Sequence, residues 1–190
     1  MIKKTFLSQI KKDLISFNKE RNEIFRETRT VLQSSKSAIF AMHRNDMAQA
    51  KKDIKNAEAI LKSLNTKFKK DQRLRFEGSY RAAAEEYVEA KVFMNALTDK
   101  PIDKLPISTI GPEEYIGGLA DLTGELVRQA ILQSTSGDFK VLEKYKLITE
   151  EIVAFLMTLY LGGQSRHKSD DAKRNLKRLE QIIYEVNLRK

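Results

Sequence analysis

Among its 190 residues the chain has no cysteine, only three prolines and eight glycines, and two histidines. The missing thiols exclude disulfides and thiolate metal centres. The few histidines remove another class. A ferritin-like di-iron site wants Glu-x-x-His on its helices, and neither His43 nor His167 has a glutamate three residues before it. With neither a signal peptide nor a long apolar run, a soluble, cytoplasmic protein without a membrane segment is expected. Nothing alternates with the period of a strand, and no repeat of fixed period appears. These absences leave a single all-α domain, residues 1–190, a bundle of about six helices with a long N-terminal helix.

What is abundant is positive charge, and it is unevenly placed. The net charge is +9, with the first 73 residues at +10, residues 74 to 165 at −5 and the remainder at +4. An acidic middle flanked by basic segments suits gathering a polyanion near a cation site. Lysine-rich helical faces that are simply solvated are the plainer reading.

From about Thr5 to Arg44 an apolar period runs through Phe6, Ile10, Leu14, Phe17, Ile24, Val31, Leu32, Ile39 and Met42 without proline or glycine. This predicts one long helix, or two nearly continuous ones, longer than a small bundle needs. Surplus apolar surface points to subunit packing in a closed homo-oligomer. His43, near the end of that helix, is read as structural rather than as a ligand or base. Asn45 and Asp46 supply the turn and N-cap of a second helix, Met47 to Lys70, and a third runs from Ser79 to Leu97. Pro101 and Pro106 mark a loop. Pro112 with Glu113 and Glu114 opens a fourth helix, which Gly137 stops, with Asp138 capping the next. Phe139 to Leu161 is the most apolar helix, Gly162 and Gly163 break it, and Ser169 to Leu188 is the last.

Four carboxylates carry the chemistry: Glu86 and Glu89 in EYVEA, and Asp121 and Glu125 in DLTGEL. Residues three or four apart share a helix face, so each stretch presents a pair of acids in one direction. Ala82, Ala83, Ala90 and Phe93 fall on the face of Glu86 and Glu89, making it small, apolar and inward-looking. A carboxylate there loses hydration unless a cation or donor compensates. Gly117, Gly118 and Gly124 lie beside the second pair. A glycine inside a helix costs about 1 kcal/mol relative to alanine, which implies close approach by another backbone. Two opposed pairs make a metal site. The competing reading is that the acids only pair with Arg81 and Arg128.

A second stretch, KFKKDQRLRFEGSYR, alternates Lys67, Lys69, Lys70, Arg73, Arg75 and Arg81 with Phe68, Phe76 and Tyr80. Cations for phosphates and rings for exposed bases are what single-stranded nucleic acid requires. Against this stands a plain core of aromatics with a wet basic margin.

Taken together, HR at His43 and Arg44, EYVEA at 86–90, EYIGGLADLTGEL at 114–126 and SGD at 136–138 resemble the translin and translin-associated factor X family. They occur in its order and span nearly the whole chain. The resemblance is to the catalytic member, and the short region before the first helix is similar to a compact prokaryotic version. It implies a metal-dependent endoribonuclease, with Glu86, Glu89, Asp121 and Glu125 as catalytic and metal-binding groups facing the inside of a hollow oligomer, an octamer favoured. A translin-like partner subunit is a further implied component. An oxygen-only cluster suits Mg²⁺ or Mn²⁺. Single-stranded RNA is the expected substrate, with single-stranded DNA as a second ligand. The alternative is a non-catalytic single-stranded RNA- or DNA-binding protein in which the acids hold helices together.

Overall fold

The computed structural model describes residues 1–136 and 139–188, and in these the fold is all-α, with no strand. Six helices follow in order: α1 (Lys4–His43), α2 (Met47–Lys70), α3 (Gly78–Leu97), α4 (Pro112–Ser136), α5 (Phe139–Met157) and α6 (Gly163–Asn187). A 3₁₀ turn, Gln72–Phe76, joins α2 to α3. No described helix is long and apolar enough to cross a membrane.

The apolar period of α1 divides in two. Ile24, Val31, Ala38, Ile39 and Met42 are buried where the helix packs on α2 and α3. Phe6, Leu7, Ile10, Leu14 and Ile15 repeat the same spacing but lie exposed on a projecting stub. The chain then reverses through Asn45, whose φ of 60° is tolerated by a short polar residue. The Asp46 carboxylate accepts from Gln49 N at 3.0 Å, starting α2.

Helix α3 is the centre of the molecule, packed against both α1 and α4. Tyr80, Ala83, Tyr87, Val88 and Phe93 are almost wholly buried on it. Ala82 is exposed, contrary to its expected place on the inward face. One-residue neighbours on a helix are 100° apart, so Ala83 takes the interior. The 98–111 loop is fastened by buried Leu105, Ile107 and Ile110, and Leu105 N donates to Tyr115 Oη at 2.7 Å. At the start of α4 the Glu114 carboxylate accepts from Gly111 N at 2.7 Å, satisfying an otherwise unpaired donor.

Two boundaries differ from the sequence expectation. Helix α5 stops at Met157 rather than Leu161, through tight bonds from Thr158 N to Phe155 O and from Leu159 N to Leu156 O. Helix α6 starts at Gly163 rather than Ser169, where extended Gly162 and positive-φ Gly163 (53°) turn the chain sharply. The polar run 163–168 hides this start because it carries no apolar period. The expected stop at Gly137 and cap at Asp138 lie outside the described residues.

Candidate active site between four helices

Helix α3 turns Glu86 and Glu89 toward α4, and α4 returns Asp121 and Glu125. All four share one electrostatic neighbourhood, in which Glu86, Asp121 and Glu125 each bear on Glu89. Glu89 is the deepest, only 8% exposed, while the other three remain partly open to solvent. Burial first, and then the charges of Glu86, Asp121 and Glu125, push the Glu89 carboxyl up to about 9. Glu86 is also raised, chiefly by burial, and Lys36, 4.0 Å away, opposes the shift.

The close packing that brings α4 onto α3 comes from glycine, as expected, at two of the three positions. A Cβ at Gly118 would stand 2.7 Å from the Val88 side chain and 2.9 Å from the backbone oxygen of Glu85; one at Gly117 would overlap the Glu85 carboxyl group. Gly124 differs. Its nearest neighbour would be Asn175 Nδ2 of α6 at an ordinary 3.6 Å, so no close approach requires glycine there.

Neither Arg81 nor Arg128 is the partner of these acids. Arg81 instead reaches Glu113 and Glu114 at the start of α4. Other side chains stand against the acids: Lys168, which spacing did not single out, and His43, read from the sequence as structural. Lys168 of α6 contacts Asp121 and also holds Glu85 at 2.8 Å. Burial works against its charge, but hydrogen bonds to Asp121 and Glu85 outweigh this and raise its pKa. His43 is buried at the end of α1, its Nε2 against Glu125 and its Nδ1 3.0 Å from Gln129 Oε1. The Phe93 ring packs beside it, 5.1 Å between centroids. Lys168 escaped notice because residues 162–168 read as a break. Glu85, four residues before Glu89 and so on its face by spacing, escaped because it stands just ahead of the EYVEA stretch.

Among the described residues no three His, Asp or Glu side chains are placed to hold one metal ion. The donor set nevertheless suits a hard cation in kind: carboxylate oxygens only, around a buried acid whose electrostatic partners are mostly of its own sign.

The basic stretch separates into different roles. Phe68 and Tyr80 are core residues in edge-to-face contact, 4.7 Å between centroids, whereas Phe76 is 70% exposed with the Arg75 guanidinium 5.7 Å from its ring. Arg75 also donates to Thr109 O at 2.9 Å. Lys67 is held by Glu27 at 2.7 Å, and Arg73 by Asp71, with the Phe17 ring 4.6 Å away. Lys69 is exposed, and the side chain of Lys70 lies outside the described residues.

Comparison with known proteins agrees with this architecture. Translin of Gallus gallus is 26% identical over 144 residues, 68% of this chain; the chain spans 63% of that relative's length. An uncharacterised protein of Methanocaldococcus jannaschii is 27% identical over 158 residues, covering 79% of this chain and 68% of its own. The solved structure of an AfC3PO–duplex RNA complex superposes with a TM-score of 0.88 at 24% identity, covering 97% of both chains. The Translin family model matches residues 19–190, and the chain belongs to the Translin family.

Proposed function

We propose that this chain is a metal-dependent endoribonuclease that hydrolyses single-stranded RNA at the Glu86, Glu89, Asp121 and Glu125 cluster, within a closed cytoplasmic homo-oligomer. The observation that carries the reading is Glu89: a buried acid on which the charges of Glu86, Asp121 and Glu125 all bear, its carboxyl pushed up to about 9. A structural core has little use for a buried acid set among three others, since its lost hydration is costly and its neighbours' charges add to that cost.

These four residues would hold Mg²⁺ or Mn²⁺. When bound, such a cation acidifies water and offsets the charge that develops on the phosphate. At neutral pH Glu89 holds a proton on its carboxyl group, which it must release for the cluster to reach full negative charge. His43 keeps Glu125 oriented, and Lys36 and Lys168 limit the repulsion among the acids. Away from the cluster, exposed Lys69 and Phe76 and half-buried Arg75 offer a strand two cations and a ring on which an unpaired base can stack. The duplex RNA bound to the structural relative supports RNA as the ligand class.

The projecting α1 stub supports assembly. Five large apolar side chains stand exposed along it, a surface that a second subunit would cover. An octamer of this chain is favoured, with a translin-like subunit as the alternative occupant.

A second reading, a non-catalytic RNA- or DNA-binding protein, is favoured by Lys168 and His43, which already engage two of the four acids. Incubation with labelled single-stranded RNA, duplex RNA and single-stranded DNA, in Mg²⁺, Mn²⁺ or EDTA, separates the two. Metal-dependent cleavage of single-stranded RNA is expected. The Glu89→Gln, Asp121→Asn double variant is expected to bind RNA and cut at least about 100-fold more slowly. Undiminished cleavage by the folded double variant would leave binding as the function. Light scattering on the same preparation reads the assembly, and a stable monomer would remove the hollow oligomer.

A further inference from the structure

Gly117 and Lys168 are linked through Glu85, an acid outside the four already assigned. Because a Cβ at 117 would overlap the Glu85 carboxyl group, the missing side chain is what lets Glu85 lie against α4. In that place Glu85 holds the Lys168 ammonium at 2.8 Å while the same ammonium contacts Asp121. The stem is equally well fixed, since α6 begins at Gly163 and delivers Lys168 within its second turn. The side chain is only 25% exposed. Lys168 therefore spans two acids of unlike standing, one inside the proposed cluster and one beside it. A divalent ion and an ammonium on the same carboxylate would repel strongly in this partly buried cleft.

We propose that Lys168 is a resident counter-cation of the acid cluster: it occupies Asp121 in the metal-free protein, yields it to an arriving divalent cation, and is retained by Glu85. The inference rests on the four-carboxylate reading above and adds a competitor and its second seat. Apparent metal affinity is the intrinsic affinity scaled by the fraction of molecules whose Asp121 is free. Removing the ammonium brings that fraction to its maximum. Neutralising Glu85 leaves Asp121 as the sole acid in contact with Lys168 and lowers it. Because both effects act through one contact, they depend on each other.

The test is Mn²⁺ binding without RNA, followed by the paramagnetic resonance of free Mn²⁺, with thermal unfolding of each protein as a check on folding. Lys168→Gln is expected to bind Mn²⁺ about tenfold more tightly than the native chain. Glu85→Gln is expected to weaken binding in the native background and to have no effect in the Lys168→Gln background. Lys168→Met serves in place of Lys168→Gln should the latter not fold. Unchanged or weaker binding by the lysine variant, or additive effects in the double variant, would overturn this inference. Glu89→Gln distinguishes that failure from a deeper one: if it weakens Mn²⁺ binding, the acid cluster stands without the lysine competitor. Absence of Mn²⁺ binding from the native protein would overturn both.

Discussion

The His43 imidazole at the end of α1 meets the Glu125 carboxylate in the middle of α4, 82 residues away in sequence. Gln129 Oε1 can accept from Nδ1–H, while Nε2 lies against the Glu125 carboxylate. His43→Ala would therefore leave both Gln129 and Glu125 short of a partner in a buried place. A loss of about 1–3 kcal/mol is expected, read by denaturant unfolding. His43→Gln should recover part of it by donating to Glu125. Full stability of the alanine variant would show that the pair holds nothing together.

Glu89 predicts a pH dependence of definite sign. Its carboxyl rises from an ordinary 4.5 when unfolded to about 9 when folded. Between these values the folded chain keeps a proton that the unfolded chain has lost. Its contribution to stability is complete below the unfolded value and is lost as pH rises through the folded one. In EDTA, thermal stability should fall between about pH 5 and pH 9, and Glu89→Gln should flatten that fall. Added Mg²⁺ should flatten it too, by favouring the ionised form. A Glu89→Gln profile parallel to the native one would remove Glu89 as the titrating group.

The glycines of α4 should answer differently to alanine. Gly118→Ala drives a methyl group against the Val88 side chain and the backbone oxygen of Glu85 and should cost about 1–3 kcal/mol. Gly124→Ala meets only Asn175 Nδ2 at 3.6 Å and should gain up to about 1 kcal/mol from helix propensity. Equal effects at the two positions, measured by chemical denaturation, would refute the close packing of α3 on α4.

The basic stretch yields a salt test. Replacing Lys69 and Arg75 with glutamine should weaken RNA binding and reduce the salt slope by about 0.7 per lost phosphate contact. Lys67 and Arg81 are already engaged by Glu27 and Glu114, and their replacement should lower stability more than the slope. Filter binding at several salt concentrations gives the slopes; an unaltered slope for the Lys69, Arg75 pair would make that patch ordinary surface.

Local chemistry alone settled much of this protein. The unbroken apolar period marked out α1 as one long helix or two nearly continuous ones, of which the structure shows one; Asp46 capped α2, proline and two acids opened α4, and spacing put each pair of carboxylates on one face. Such features depend on residues within a few positions of one another, which sequence displays directly. Only the tertiary structure decided what those faces meet. It sent Lys168 to Asp121 and His43 to Glu125, gave Arg81 to Glu113 and Glu114, put Phe68 and Tyr80 in the core and left Phe76 outside. It also began α6 at Gly163, early enough to carry Lys168 into the cleft. Partners separated by 47 or 82 residues leave no trace in periodicity, because their meeting depends on how helices cross and where glycine lets them approach.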